Sequence, residues 1–317
     1  VYIFVASTAP VWILLQPRDY LNSFLLYAML GGAVIGLFLY RPGLELPAVT
    51  SFKVGTSYMF PILFVTVACG AISGFHSLIS SGTSSKQINN EKDMKLIGYG
   101  SMLIEGVLAV IAIITAAYIG ADEFQALLAE GAANNVFASG VGTFMTSFGI
   151  PFDAGKSFVA LAIAAFALTS LDSGTRIGRF VFQEFFEDSS KEKQTNPLTN
   201  MYVATFVTVA AGGLLGLAGW STVWPVFGSA NQLLAALALL ATAMYLKGQK
   251  RNYKMAVYPM IFMFLVTLTA LVLLVQANFA AGNFALVIAG IALFVLAIIL
   301  IKQSYHVLFG KEEDKVA

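Results

Sequence analysis

Three stretches place hydroxyls, amides and ionisable groups inside otherwise apolar sequence, and each combines residue types that can bind or move a small solute. The first is Cys69-Gly-Ala-Ile-Ser-Gly-Phe-His-Ser-Leu-Ile-Ser-Ser-Gly-Thr83. On a helix, Ser73, Ser77 and Ser81 share one face, and His76, Ser80 and Thr83 line the adjacent one. Gly70 and Gly74 let a helix unwind and turn backbone groups toward a cavity, and an imidazole can exchange a proton near neutral pH. The competing reading is a seam of small residues whose hydroxyls bond their own helix. A seam does not call for His76, which favours a lined cavity.

The second stretch is Thr169-Ser-Leu-Asp-Ser-Gly-Thr-Arg176. Asp172 among Thr169, Ser173 and Thr175 offers hard oxygens to a small cation, or a carboxyl that desolvation keeps protonated. Two roles stay open: a coupling-ion site, and an ion pair with Arg176 one turn on. The third stretch, Trp224-Pro-Val-Phe-Gly-Ser-Ala-Asn-Gln232, puts the amides of Asn231 and Gln232 in an apolar run, where hydrogen bonding between helices is the leading role. Glu105, alone in another run, is either a proton site or a bond to a neighbouring helix. Asp-Ser-Gly also occurs in aspartic proteases, but that chemistry needs a second carboxylate sharing a proton. No firm metal site is read beyond Asp172, Thr169 and Ser173 as cation ligands, and no cofactor motif is present.

The elements that must hold these groups are membrane spans. Hydrophobic residues make up 58% of the 317 positions and charged ones only 11%, with mean hydropathy +0.80, too little polarity to cover a water-facing surface. Runs near the 20 residues a bilayer requires number about nine. They are Tyr2 to Leu15, Leu21 to Tyr40, Tyr58 to Ser80, Leu96 to Ile119, Phe158 to Phe180, Met201 to Gly219, Val223 to Leu246, Ala256 to Gln276 and Phe284 to Ile301. None alternates with period two, so the expected fold is an all-α transmembrane bundle and not a β-barrel. The connection from Gly120 to Ser157 is long enough for short interfacial helices, either a cap or an outer gate.

Basic residues divide sharply between alternate connections. Of 18 Lys and Arg, 15 fall in one set (Arg18, Lys86, Lys92, Lys95, Arg176, Arg179, Lys191, Lys193, Lys247, Lys250, Arg251, Lys254, Lys302, Lys311, Lys315) and three in the other (Arg41, Lys53, Lys156). Positive charge stays on the cytoplasmic side, which predicts a multi-pass protein of the cell membrane with a cytoplasmic C-terminus. A net charge of +1 leaves no nucleic-acid footprint, and the single Cys69 excludes an intramolecular disulfide. The opening Val-Tyr-Ile-Phe-Val, inside an apolar run, reads as a fragment of a longer chain.

The first and third stretches, with Leu171-Asp-Ser-Gly-Thr-Arg-Ile-Gly-Arg-Phe180 between them and Gln16-Pro-Arg-Asp-Tyr-Leu-Asn22 before them, resemble the carbon starvation protein A (CstA) family in kind and order. The resemblance extends over essentially the whole chain. It departs at Ser85, where the family is expected to carry proline, and the family's N-terminal part is missing. The resemblance implies an inner-membrane secondary transporter related to the amino acid/polyamine/organocation superfamily, built on two inverted five-helix repeats, with the second repeat present here. The expected function is import of short peptides or small carboxylates such as pyruvate, coupled to a proton or sodium. Residues 1–246 would form the transporter core, and 247–317 additional helices and a short tail. The substrate and ion path would comprise Gly70, Ser73, Gly74, His76, Ser77, Ser80, Ser81, Thr83, Thr169, Asp172, Ser173, Thr175, Asn231 and Gln232. The alternatives are a receptor or scaffold without transport, and an intramembrane aspartic protease.

Overall fold

In a computed structural model, the structure describes residues 1–49, 51–54, 57–187, 196–217 and 220–309. The expected cytoplasmic tail at Lys311 to Lys315, and Lys191 and Lys193, lie outside the described residues. Apart from two paired strands, β1 (Lys53–Val54) and β2 (Ser57–Tyr58), the regular structure is helical. The chain divides into two compact units, residues 1–50 with 87–209, and residues 51–86 with 210–317.

The first unit holds α1 (Tyr2–Thr8), α2 (Val11–Tyr40), and, beyond the second unit's first segment, α6 (Ser101–Ala117), α7 (Ala121–Thr146) and α8 (Phe152–Phe186). The second holds α3 (Phe64–Ala71), α4 (Gly74–Ile79), α5 (Ser85–Gln87, at its edge), α10 (Trp220–Gly248), α11 (Lys254–Ala280) and α12 (Phe284–Phe309). Helix α9 (Met201–Leu217) carries the division between them. Among the described residues, six helices are long and apolar enough to cross a membrane, or seven if the bent pair Met59–Val67 and Cys69–Gln87 is one span. Helix α9, at 17 residues, is shorter than these, about 26 Å at 1.5 Å per residue.

Two sequence expectations change. The break expected at Gln16–Tyr20, between the first two runs, is absent: α2 continues through Pro17 for 30 residues. Charged residues there do not mark a loop, because Arg18 is used against α8 inside the bundle. The chain breaks earlier, where Ala9 turns to extended backbone (ψ 150°) before Pro10.

The connection after α6 carries α7, which folds into two short arms, the second of them buried in the core of the unit and not interfacial. Helix α7 is 26 residues long, and Asn135 Nδ2 reaches the carbonyl of Leu127, eight residues back, at 3.3 Å. A straight helix separates such residues by about 12 Å, so α7 folds back on itself between them. Both of its ends consequently lie beside the C-terminal end of α6: the Tyr118 and Phe144 rings are 5.1 Å apart. The second arm is buried because its residues are small. A Cβ on Gly140 would fall 2.6 Å from Thr115 of α6, and one on Gly142 2.9 Å from the Lys156 backbone of α8. Ala138, Val141 and Met145 of this arm join Met29, Ala33, Ile111, Val159 and Ala162 in the core of the first unit. In the second unit, Leu233, Ala236 and Leu240 of α10 pack with Val257, Met260 and Phe264 of α11 and with Ala297 and Leu300 of α12.

Candidate functional site

The first stretch forms an interrupted helix in the second unit. Helix α3 ends at Ala71, Ser73 is extended (φ −123°, ψ 129°), and α4 starts at Gly74. An interruption exposes backbone N–H groups that an apolar surround cannot satisfy. Asn231 on α10 supplies the partner: its Oδ1 accepts from the Phe75 N–H at 2.7 Å and lies 3.3 Å from Ser73 Oγ. Ser73 Oγ in turn accepts from the His76 N–H at 3.3 Å. Gly74 is what permits this approach, since a Cβ there would fall 2.4 Å from Leu234 Cβ and 2.5 Å from the Asn231 carbonyl oxygen.

Other members of the stretch take several places. Ser77 donates to the Gly74 carbonyl at 2.6 Å and Ser81 to the Ser77 carbonyl at 3.0 Å, which is the bonding expected of a small-residue seam. His76 and Ser80 are exposed on this unit, Gly70 is exposed one turn before the break, and Thr83 sits half-buried in a wide π-type turn, Ser80–Ser84. The structure thus joins Ser73, Gly74 and Asn231. Gln232 is fully buried on α10, and neither end of its amide has a partner.

The second stretch lies in the first unit. Asp172 is fully buried on α8, and its Oδ2 pairs with Arg18 Nη1 of α2 and accepts from Tyr2 Oη of α1 at 3.2 Å. Arg18 Nη1 also donates to Tyr2 Oη at 2.7 Å, while Asp172 Oδ1 has no partner. The ion pair expected with Arg176 is not the one formed. Arg176 donates to the carbonyls of Ala6 and Ala9 at 2.8 and 2.6 Å, and Arg179 to that of Ser7 at 2.7 Å. These carbonyls belong to the C-terminal end of α1 and its break, where a helix leaves acceptors unsatisfied and its dipole favours a cation.

The oxygens expected around Asp172 are also distributed differently. Thr169 accepts from Asn22 Nδ2 at 3.0 Å and donates to Asp19 Oδ1 at 3.2 Å, and Thr175 donates to the Leu171 carbonyl at 2.8 Å. Ser173 is buried beside Asp172, and Glu105 lies on an exposed face of α6. Among the described residues, no group of three or more His, Cys, Asp or Glu is placed to hold a metal. The residues that sequence reasoning missed are Tyr2, Arg18, Asn22 and Arg179. A signal existed: Arg18 and Asn22 are four apart, on one face of an apolar helix, where polar side chains need partners.

The sequence model of the family described as carbon starvation protein CstA matches residues 1–133 and 123–270. Among curated relatives, the peptide transporter CstA of Escherichia coli is 35% identical over 85% of this chain and 48% of its own length. The peptide transporter CstA of Bacillus subtilis is 31% identical over 80% and 49%. The pyruvate/proton symporter BtsT of Escherichia coli is 32% identical over 85% and 49%. The chain thus spans about half the length of these relatives. No solved structure matches it. With the family model covering residues 1–270, the chain belongs to the carbon starvation protein CstA family.

Proposed function

We propose that the full-length protein is a secondary active transporter of the cell membrane that imports short peptides or small carboxylates such as pyruvate under carbon starvation. The observation that carries this reading is the interrupted helix at Ser73, held open by Asn231, within a chain of apolar helices. Interrupted helices are the means by which transporters expose backbone groups to a solute at membrane depth. The names of the relatives, peptide transporter and pyruvate/proton symporter, point the same way.

Of the two coupling ions, the geometry favours a proton over sodium. Backbone carbonyls at a helix break are natural sodium ligands, but those of Ala6, Ser7 and Ala9 are already taken by guanidinium groups. Asp172 is the fully buried carboxylate of this cluster. Protonating it removes the counter-charge of Arg18 and so loosens α1 and α2 from α8. The same pair counts against the protease reading, because a dyad needs carboxylate facing carboxylate.

In this reading residues 1–246 carry the transport machinery and 247–317 supply packing helices, with the C-terminus cytoplasmic as the basic asymmetry requires. The nine-span, inverted-repeat plan is part of this proposal: the six long helices, the bent pair and α9 make eight of the nine, and α1, seven residues or about 10 Å long, does not span by itself. The test is uptake of labelled peptide and of pyruvate by the full-length protein in proteoliposomes with an imposed proton gradient. Uptake that follows the gradient, collapses with an uncoupler and falls in His76→Ala is expected. Absence of uptake of both solutes would favour the receptor or scaffold reading.

A further inference from the structure

We propose that the end of the second unit where α10 meets α11 binds the phosphodiester head of an anionic phospholipid, taken from the surrounding bilayer by Lys250, Arg251, Lys254 and Lys302. The inference depends on neither the transport reading nor the orientation of the chain. Residues 51–86 and 210–309 contain no Asp or Glu, so the charge this unit carries up to Phe309 is all cationic. Lys247, Lys250, Arg251 and Lys254 fall within eight positions around the turn between α10 and α11. Lys247 Nζ donates to the Leu308 carbonyl at 2.5 Å, which brings the end of α12 beside that turn. Lys302 lies six residues before Leu308, about 9 Å along the helix. Lys250, Arg251, Lys254 and Lys302 are exposed, as are the rings of Tyr245, Tyr258 and Tyr305, each within four residues of a lysine. Tyrosines gather at the headgroup level of a bilayer, so these cations stand where lipid phosphates are.

The turn itself is held by the backbone. The Arg251 N–H donates to the Leu246 carbonyl at 2.9 Å, and Lys250 between them takes the left-handed conformation, at φ 55°. Glycine is the usual residue at such a helix end, because a Cβ crowds the backbone there. A lysine kept in that conformation points to a use for its ammonium that offsets the backbone cost.

Like charges with no acid in their unit repel one another, and an anion set among them relieves the repulsion. A zwitterionic head brings its own cation and cancels most of that gain, whereas a phosphatidylglycerol head brings the phosphate alone. The lipid is favoured over a free anion because Met255, Ile261 and Ile298 expose apolar surface on the same helices, against which acyl chains lie.

The experiment measures binding of radiolabelled dioleoyl phosphatidylglycerol to the immobilised full-length protein in dodecyl maltoside micelles, competed by the same lipid unlabelled or by dioleoyl phosphatidylcholine. The anionic lipid is expected to compete on the order of tenfold better at about 0.15 M salt, with the difference largely gone at about 1 M. Lys250→Gly should weaken binding about fivefold, the share of one cation near the membrane surface. That variant should melt no lower than its parent, because glycine adopts φ 55° freely. Adding Arg251→Gln and Lys254→Gln should bring the loss to roughly a hundredfold. Arg41→Gly is the control: Arg41 is also exposed and left-handed, at φ 51°, but in the first unit, and its loss should leave lipid binding unchanged. Equal competition by the two lipids, or unchanged binding in the triple variant, overturns the site. A preference that emerges only after Glu312→Gln, Glu313→Gln and Asp314→Asn overturns it as well, by assigning the cations to the chain's own acidic residues.

Discussion

Gly74→Ala tests whether the interrupted helix is held as described. The added Cβ would lie 2.4 Å from Leu234 Cβ, 2.5 Å from the Asn231 carbonyl oxygen and 2.7 Å from the Ala235 nitrogen, so α4 must retreat from α10 by about 1 Å to reach ordinary contact. Two of those three atoms are helix backbone, which cannot rotate away. Such overpacking costs about 1–3 kcal/mol. The retreat also stretches the 2.7 Å bond from the Phe75 N–H to Asn231 Oδ1, and a buried donor left unmatched costs roughly another 1–3 kcal/mol. The expected loss is therefore roughly 2–6 kcal/mol, read as a lower melting temperature of the full-length protein in micelles and faster hydrogen exchange across 74–79. Gly106→Ala is the control, since nothing lies within 4 Å of its added Cβ; there the substitution should be neutral or stabilise by up to about 1 kcal/mol. Asn231→Asp, which keeps the acceptor, should preserve protection at Phe75, whereas Asn231→Leu should lose it. A Gly74→Ala protein that melts and exchanges like its parent would refute the proximity of α4 to α10.

Asp172→Asn should abolish uphill accumulation in proteoliposomes and leave Arg18 without its counter-charge. Breaking a buried pair costs about 3–5 kcal/mol, with a smaller value expected here because the Arg18 side chain is 17% exposed. The double variant Asp172→Asn with Arg18→Gln should recover most of the lost stability, and Asp172→Asn with Arg176→Gln should not; the reverse pattern in a double-mutant cycle would restore the Arg176 pairing. For topology, cysteines placed singly at Gln125, Ser190 and Gln249 in a Cys69→Ser background should meet an impermeant thiol reagent from outside only at Gln125. Labelling of Ser190 in intact cells would invert the map.

What was legible in the sequence is what a residue's own chemistry decides locally. Glycines and serines in an apolar run announced the interruption near Ser73, and Asn231 read as an interhelical bond because an amide there has no aqueous alternative. The burial of Asp172 followed from its apolar flanks. Its partner did not, because Arg18 is 154 positions away in sequence and only the antiparallel approach of α2 to α8 brings them together. Local spacing offered Arg176, four residues on, but that side chain points toward the end of α1, where the carbonyls of Ala6 and Ala9 outbid a carboxylate already paired. The fold-back of α7 was missed for a related reason. Its second arm is buried through Gly140 and Gly142, and the closeness that small residues permit does not register as hydropathy.

The two helix interruptions are satisfied by groups of opposite character, and that difference predicts which one yields first. At the start of α4 the exposed groups are N–H donors, met by the neutral oxygens of Asn231 and Ser73. At the end of α1 they are carbonyls, met by three bonds from the guanidinium groups of Arg176 and Arg179. Neutral hydrogen bonds contribute about 0.5–1.5 kcal/mol each and bonds to charged groups about 1.5–3. Moreover, Arg179 is only 4% exposed, so releasing it strands a charge in an apolar surround, a cost that the release of Asn231 does not incur. The α3–α4 interruption should accordingly open at lower free energy. In hydrogen-exchange measurements on the full-length protein, amides of Phe75 to Ser77 should exchange faster than those of Ala6 to Thr8. Arg179→Gln should narrow that gap by speeding exchange in α1 and leaving Phe75 unchanged. If α1 instead exchanges faster than Phe75 in the unaltered protein, the guanidinium contacts do not hold the helix end, and the argument that they displace sodium from those carbonyls falls with them.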